Sequence, residues 1–407
     1  MLIELILALL IGIGVGTFTG LFPGIHINLV AVMMFGFLDY LLQITSPLSL
    51  VVFIVAMSIT HTFIDFIPSI FLGAPNEDSF LSILPGHQLL LEGRGYLAVI
   101  YTLYGSTTAL IIILLFTPFF IYLLPIFYPF IQNIMALVLI ILSIYLIASE
   151  ENILLSTIIF LLAGFLGIAS LNLGIKEPLL PLLTGLFGAS SLIISIKQKT
   201  KIPKQTILPL SEIKLSTLSV IKSVFASIIA SPFTAFLPGL GASQAAIIGR
   251  QSLQIKDQKE FLFLIGAINT IVMGLSFITF YAIGKMRTGS AVAVAKLMPE
   301  LDFKALIIIL IVIVLSGILS FFLTLVLSKI IARKINDIDY SKISFFILIL
   351  ISIVVIVFSD LTIIGKIIGI LIFITSTFLG IFTILKGIQR IHLMGCLLIP
   401  TILFYVL

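Results

Sequence analysis

Tryptophan is missing altogether, cysteine occurs once (Cys396), and only 10% of the 407 residues are charged. A lone cysteine excludes an intrachain disulfide and a cysteine-rich metal site. Soluble domains carry roughly a quarter charged residues, so the poverty in charge excludes that class. Basic residues are scarcer still in the first half. Residues 1–196 hold only Arg94 and Lys176, and the remaining basic residues follow position 196. The start, Met1 to Gly20, lacks a basic n-region and carries Glu4 instead, so it reads as a first membrane helix and not as a removable signal.

Apolar sequence is abundant: 60% of residues are hydrophobic and the mean hydropathy is +1.34. Stretches of about 20 apolar residues, each able to cross a bilayer as a helix, follow one another nearly end to end. A transmembrane barrel would show short alternating segments instead. The expected fold is an all-α, polytopic membrane bundle, multi-pass in the cell membrane.

One segment returns. Phe18-Thr19-Gly20-Leu21-Phe22-Pro23-Gly24 recurs as Phe233-Thr234-Ala235-Phe236-Leu237-Pro238-Gly239, and in the same register Gly12, Gly16 and Gly20 align with Ser227, Ser231 and Ala235. Small residues four apart let membrane helices approach closely, and Pro followed by Gly stops a helix. The chain therefore reads as two tandem structural repeats with broken or re-entrant helices: residues 1–196, a basic cytoplasmic connection at 197–210, and residues 211–407. Duplicated helix breaks of this sort point to a transporter binding site.

Along the first repeat, helices are expected from Leu2 to Phe22, on to Leu42 and from Leu48 to Leu72, with further spans near Leu97, Leu124, Leu154 and Leu179. The second repeats the plan from Leu218 to Leu237, Ala245 to Ile255 and Phe261 to Ile283, with spans near Leu306, Phe345, Ile364 and Leu393. Polar inserts at Gly73–Ser79 and Gly284–Ser290 hold comparable places. Lys197, Lys199, Lys201 and Lys204, with Lys329, Arg333, Lys334 and Lys342, are expected on the cytoplasmic side. These short loop clusters beside membrane spans do not suggest nucleic acid as a partner.

Helices restarting after the breaks would offer free N–H groups and the positive end of a dipole, suited to a carboxylate or phosphate. The expected substrate site thus comprises Pro23, Gly24, His26 and Asn28 with Pro238, Gly239, Ser243 and Gln244, joined by Lys285 and Arg287 of the second insert. Kinked helices without a ligand are the plainer alternative. His61 and Asp65 lie four apart within an apolar run. A charge at that depth costs about 2.5 to 3.5 kcal/mol, so the pair is a candidate site for a coupling sodium ion or proton, or else a buried structural pair. No metal site or cofactor is implied. Glu77 and Asp78 could face Lys285 and Arg287. Glu150, Glu151, Asp337, Asp339 and Asp360 read as solvated loop ends, and His392 beside Cys396 as a packed residue.

The tandem breaks, together with Gly73-Ala74-Pro75, Ser82-Ile83-Leu84-Pro85-Gly86-His87 and Glu92-Gly93-Arg94-Gly95-Tyr96-Leu97-Ala98, resemble the large permease subunit of tripartite tricarboxylate transporters, the TctA family. The closest likeness covers about residues 12–30, 61–98 and 231–250. The resemblance implies a permease for carboxylates, driven by an ion gradient and working with a small membrane subunit and a periplasmic binding protein. The chain is shorter than usual members, and Gly284–Ser290 with Lys285 and Arg287 replaces an Asn-rich, Glu-containing segment. It therefore looks like a divergent, solitary branch.

A polyprenyl-phosphate translocase is the alternative, since a lipid phosphate would suit the same helix N-termini with Arg94, Lys285 and Arg287. An intramembrane enzyme fits poorly. The Gly-x-Gly-Asp context of aspartyl proteases and the Gly-x-Ser-Gly of rhomboids are both absent, and His61 with Asp65 makes no catalytic set. No catalytic residue is assigned.

Overall fold

The computed structural model describes residues 2–22, 27, 30, 34, 37–72, 83–198, 202–236, 241–286, 288–335 and 340–406. These residues are helical throughout their ordered elements, with no strand among them. Among the described residues, eight helices are long and apolar enough to span a membrane, and four shorter apolar helices accompany them.

The first half comprises α1 (Leu2–Leu21), α2 (Leu38–Ile44), α3 (Pro47–Ile64), α4 (Phe66–Leu72), α5 (Ile83–Leu91), α6 (Gly95–Ala148), α7 (Ile153–Asn172), α8 (Leu179–Leu183) and α9 (Ser190–Gln198). The second comprises α10 (Thr217–Phe236), α11 (Ala242–Ser252), α12 (Gln258–Ile283), α13 (Gly289–Leu297), α14 (Phe303–Lys334), α15 (Tyr340–Phe358), α16 (Ile363–Leu385) and α17 (Gly395–Val406). Side-chain caps fix several starts. Ser46 accepts from the Ser49 N–H ahead of α3 (3.2 Å), with Pro47 at the first helical position. Asp257 and Asp302 cap α12 and α14 in the same way. Gly284, at φ +65°, ends α12 in the left-handed conformation that glycine adopts without steric cost.

The spans expected near Leu97 and Leu124 are one helix. Its 54 residues rise about 1.5 Å each, roughly 80 Å in all. Pro118, Pro125 and Pro129 lie inside it. Proline is tolerated in membrane helices where neighbouring groups satisfy the freed backbone, so it does not divide the span as expected. Between α3 and α4 the helix kinks at Asp65, because Pro68 has no N–H to give the Ile64 carbonyl.

Among the described residues, the two largest hydrophobic cores each draw on both halves of the sequence. The larger, inner core joins α1, α3, α4 and the N-terminal part of α6 with α10 to α14. The outer one joins the C-terminal part of α6, α7 and α8 with α16 and α17. At the centre, α3–α4 and α12 are almost wholly buried within the protein, whereas the other spans leave half or more of their residues on the outside.

Helix directions follow from the contacts. Glu4 at the start of α1 accepts from the Ser46 N–H and Thr45 Oγ1, while near its end Thr19 reaches His61, so α1 and α3 run the same way. The glycine ridge makes this approach close. A Cβ on Gly12 would lie 2.6 Å from the Phe53 oxygen, one on Gly16 would meet the Met57 oxygen, and one on Gly20 would lie 2.9 Å from Ile64 Cβ. In the second half Ser219 and Ser223 of α10 donate to Glu260, and α11 folds back along α10 with Gly249 against Ala226 and Ala230. Thus α10 and α12 also run together. Between the pairs, Thr62 meets Thr270 and Asp65 meets Asn269, so α3–α4 and α12 run in opposite directions.

Two residues expected to be solvated loop ends are bonded in place instead. The Glu150 side chain, 10% exposed, accepts from the Gln389 N–H (3.0 Å) and pairs with His392 Nε2 (3.2 Å). Asp360 accepts from the N–H and hydroxyl of Thr362 and from the Lys176 N–H. Gln389 and His392 for Glu150, and Lys176 for Asp360, lie far away in sequence, which is why a local reading misses them. The basic connection is likewise anchored: Gln205 accepts from the Gly95 N–H (2.7 Å) and donates to the Leu90 carbonyl (3.1 Å), and the Thr206 N–H reaches Gly93.

Where α6 crosses α12, a Cβ on Gly266 would meet the Thr102 carbonyl oxygen, whereas Gly14 on the outer face of α1 has open space around it. Gly266→Val should lower the melting temperature in detergent, with an overpacking cost of about 1–3 kcal/mol or more, and Gly14→Val should leave it nearly unchanged. Equal effects would contradict the described crossing. The hydrogen bonds from Thr362 hold Asp360 at about 2, below its ordinary 3.8. A depressed carboxylate contributes stability above its unfolded pKa and loses it as pH falls through the folded one. Wild type should therefore be more stable than Asp360→Asn at neutral pH, with the difference shrinking from about pH 4 towards pH 2 in thermal scans.

Candidate functional site

The polar side chains of α3 turn this apolar helix into a hub. Ser58, Thr60, His61 and Thr62 fall within five consecutive positions, and Asp65 follows at the kink. All are buried. In lipid such groups need partners from protein, and each finds one on another element. Ser58 Oγ donates to Ser290 Oγ of α13 (2.6 Å), Ser320 Oγ of α14 donates to Thr60 Oγ1 (2.9 Å), and Thr62 shares a bond with Thr270 of α12 (3.1 Å).

His61 and Asp65 occupy the end of this seam nearest the first break. His61 Nδ1 lies 3.0 Å from Thr19 Oγ1, and a Cβ on Gly20 would stand 3.4 Å from the Asp65 nitrogen. Asn269 Nδ2 donates to Asp65 Oδ2 at 3.2 Å. The end of α1, just ahead of Pro23, thus packs directly on the two ionisable residues of α3 and its kink. A fourth hydroxyl pair continues the seam, Thr288 donating to Ser276 while its Oγ1 caps α13.

His61 and Asp65 lie four residues apart at the end of α3, and Thr19 and Asn269 are their partners. Ser243 and Gln244 fall in the first turn of α11. Lys285 is exposed beyond the end of α12, its Nζ 5.9 Å from the centre of the Tyr128 ring. Pro23, Gly24, His26, Asn28, Pro238, Gly239 and Arg287 lie outside the described residues, as do Glu77 and Asp78. Asn269 is the functional candidate that sequence reading missed. The signal was present: an amide beside Thr270 in a run as apolar as α12 is as conspicuous as Asp65 in α3. Among the described residues no group of three or more His, Cys, Asp or Glu side chains is gathered as a metal site.

Residues 6–395 match the family described as "Tripartite tricarboxylate transporter TctA family". This chain belongs to the TctA family. It is accordingly a multi-pass integral membrane permease of the cell membrane and not an enzyme. The match extends far beyond the three stretches in which the resemblance is closest, across both cores. An uncharacterized protein from Methanocaldococcus jannaschii is 31% identical over 405 residues, covering 98% of each chain. No solved structure matches.

In this TctA-family chain the Asp65–Asn269 bond ties α3 to α12. Asn269→Leu should cost about 1–3 kcal/mol, because it strips a donor from a buried carboxylate, and adding Asp65→Leu should recover part of that loss. Thermal unfolding of the four variants of the cycle in detergent measures the coupling. Purely additive costs would mean that the two side chains do not interact.

Proposed function

We propose that this permease moves a small carboxylate anion, with the substrate held where the chain breaks after α1 and after α10. Pro23, Gly24, His26 and Asn28 would form one side and Pro238, Gly239, Ser243 and Gln244 the other, with Lys285 and Arg287 drawing the anion in. His61 and Asp65 would take the coupling sodium ion or proton. The observation that carries this reading is the packing of Thr19 and Gly20, at the end of α1, directly on His61 and Asp65. An ionisable residue at membrane depth marks an ion or proton path by default, and here it adjoins a helix that stops before Pro-Gly.

The two halves act in this proposal as inverted repeats. Support comes from the directions of the helix pairs: α1 with α3, α10 with α12, and the second pair opposed to the first. Such an arrangement suits alternating access around a central site. Family membership favours a carboxylate over a lipid phosphate as the cargo. A small membrane subunit and a solute-binding protein are the partners that this family's three-part transporters suggest.

Uptake of labelled tricarboxylates and dicarboxylates into proteoliposomes, under imposed sodium or proton gradients, tests the proposal. Gly239→Phe should abolish uptake while the protein still inserts and purifies, and undiminished uptake would remove the break from the site. Asp65→Asn should flatten the dependence on the driving ion more than it changes the half-saturating substrate concentration. An unaltered pH and sodium profile would leave Asp65 a purely structural role.

A further inference from the structure

At the face where α6 begins and α14 ends, an open recess of about 680 Å³ lies between the chain's elements. Its floor is Tyr96, its roof is the connection at Ile207 to Leu210, and its wall is α14 with Lys329 and Arg333. The two cations stand four residues apart, on one side of the helix. Both are exposed, and neither forms an ion pair among the described residues. Two positive charges therefore share one concavity, with no carboxylate paired to them among the described residues.

The same side of α14 is apolar farther into the membrane. Leu315, Leu319, Phe322 and Val326, spaced by three or four residues, are 40–59% exposed and lead up to Lys329. The helix thus presents a greasy strip that ends in a cationic recess. The roof is built and not loose: Gln205 and Thr206 bond to the turn between α5 and α6, and the Tyr104 hydroxyl lies 3.4 Å from the Leu210 carbonyl. Lys204 lies in the same connection, where its carbonyl packs on Gly93, and Lys256 and Lys259 flank the start of α12 beside α6. This concentration of basic residues assigns the face to the cytoplasm, whose leaflet carries the anionic lipids.

We propose that this recess holds an anionic phospholipid of the cytoplasmic leaflet, its phosphate between Lys329 and Arg333 and an acyl chain along Val326, Phe322 and Leu319. Charge and shape both select this occupant: a phosphate neutralises the pair, and only an amphiphile fills the recess and the strip together. The lipid would pin the connection between the halves to the end of α14, away from the substrate path, so the inference is independent of the cargo.

Native mass spectrometry of the delipidated full chain in detergent provides the test, with phosphatidylglycerol, phosphatidylcholine and inorganic phosphate as separate probes. Phosphatidylglycerol should bind tightest, and in the Lys329→Gln/Arg333→Gln variant its affinity should fall about thirty-fold, towards that of phosphatidylcholine. Lys366→Gln, at the start of α16, should leave binding unchanged. Equal binding of the two lipids by wild type would overturn the proposal without any variant. So would undiminished phosphatidylglycerol binding by the double variant, or displacement of the lipid by millimolar inorganic phosphate, which would make the recess a free-anion site. Should the double variant not fold, Arg333→Gln alone, with a smaller loss of about five-fold, decides in its place.

Discussion

Polar groups inside a bilayer have no water to fall back on, and the centre of this protein is organised by that constraint. α3 carries hydroxyls, an imidazole and a carboxylate through the depth where lipid tails would offer none of them a partner. The sequence can tolerate them because α1, α12, α13 and α14 each supply a matching group. Such a seam does two things at once. It fixes the register of the helices around α3, since a shift of one residue would leave several buried groups unsatisfied. It also sets His61 and Asp65 against the end of α1.

Small residues complete what the seam begins. Gly12, Gly16 and Gly20 bring the α1 backbone against α3, and Gly105, Gly266 and Gly274 do the same between α6 and α12. Without such close approach the short bonds of Ser and Thr could not span the gap between helices. The second half uses serine where the first uses glycine. Ser223 donates to the Glu260 carbonyl, and Ser227 and Ser231 bond back to their own helix, so the contact of α10 with α12 is made in part by hydroxyls. One spacing therefore serves two chemistries of helix contact.

Much of this was legible in the residues. Apolar run length announced the spans, and the Pro-Gly repeats ended α1 and α10 within a few residues of where the structure ends them. His61 and Asp65 stood out because ionisable residues are conspicuous against Leu and Ile. Other features were hidden for physical reasons. Asn269 became a candidate only when a fold contact set it beside Asp65, more than two hundred positions away in the chain. Glu150 and Asp360 looked solvated because Gln389, His392 and Lys176 come to them from distant parts of the chain, which periodicity cannot bring near, and only the Thr362 contact with Asp360 is local. The continuity of α6 through three prolines was equally unreadable, since a proline in lipid does not end a helix as it does in water.

That helix has a mechanical consequence. α6 enters the inner core at its N-terminal part and the outer core at its C-terminal part, so a single rod is embedded in both bundles. Over a length of roughly 80 Å, a change of a few degrees in its tilt sweeps the far end by several ångströms. Pro125 and Pro129 sit between Leu124, the last α6 residue of the inner core, and Met135, the first of the outer core. The two bundles are therefore joined by continuous helix, with no loop between them.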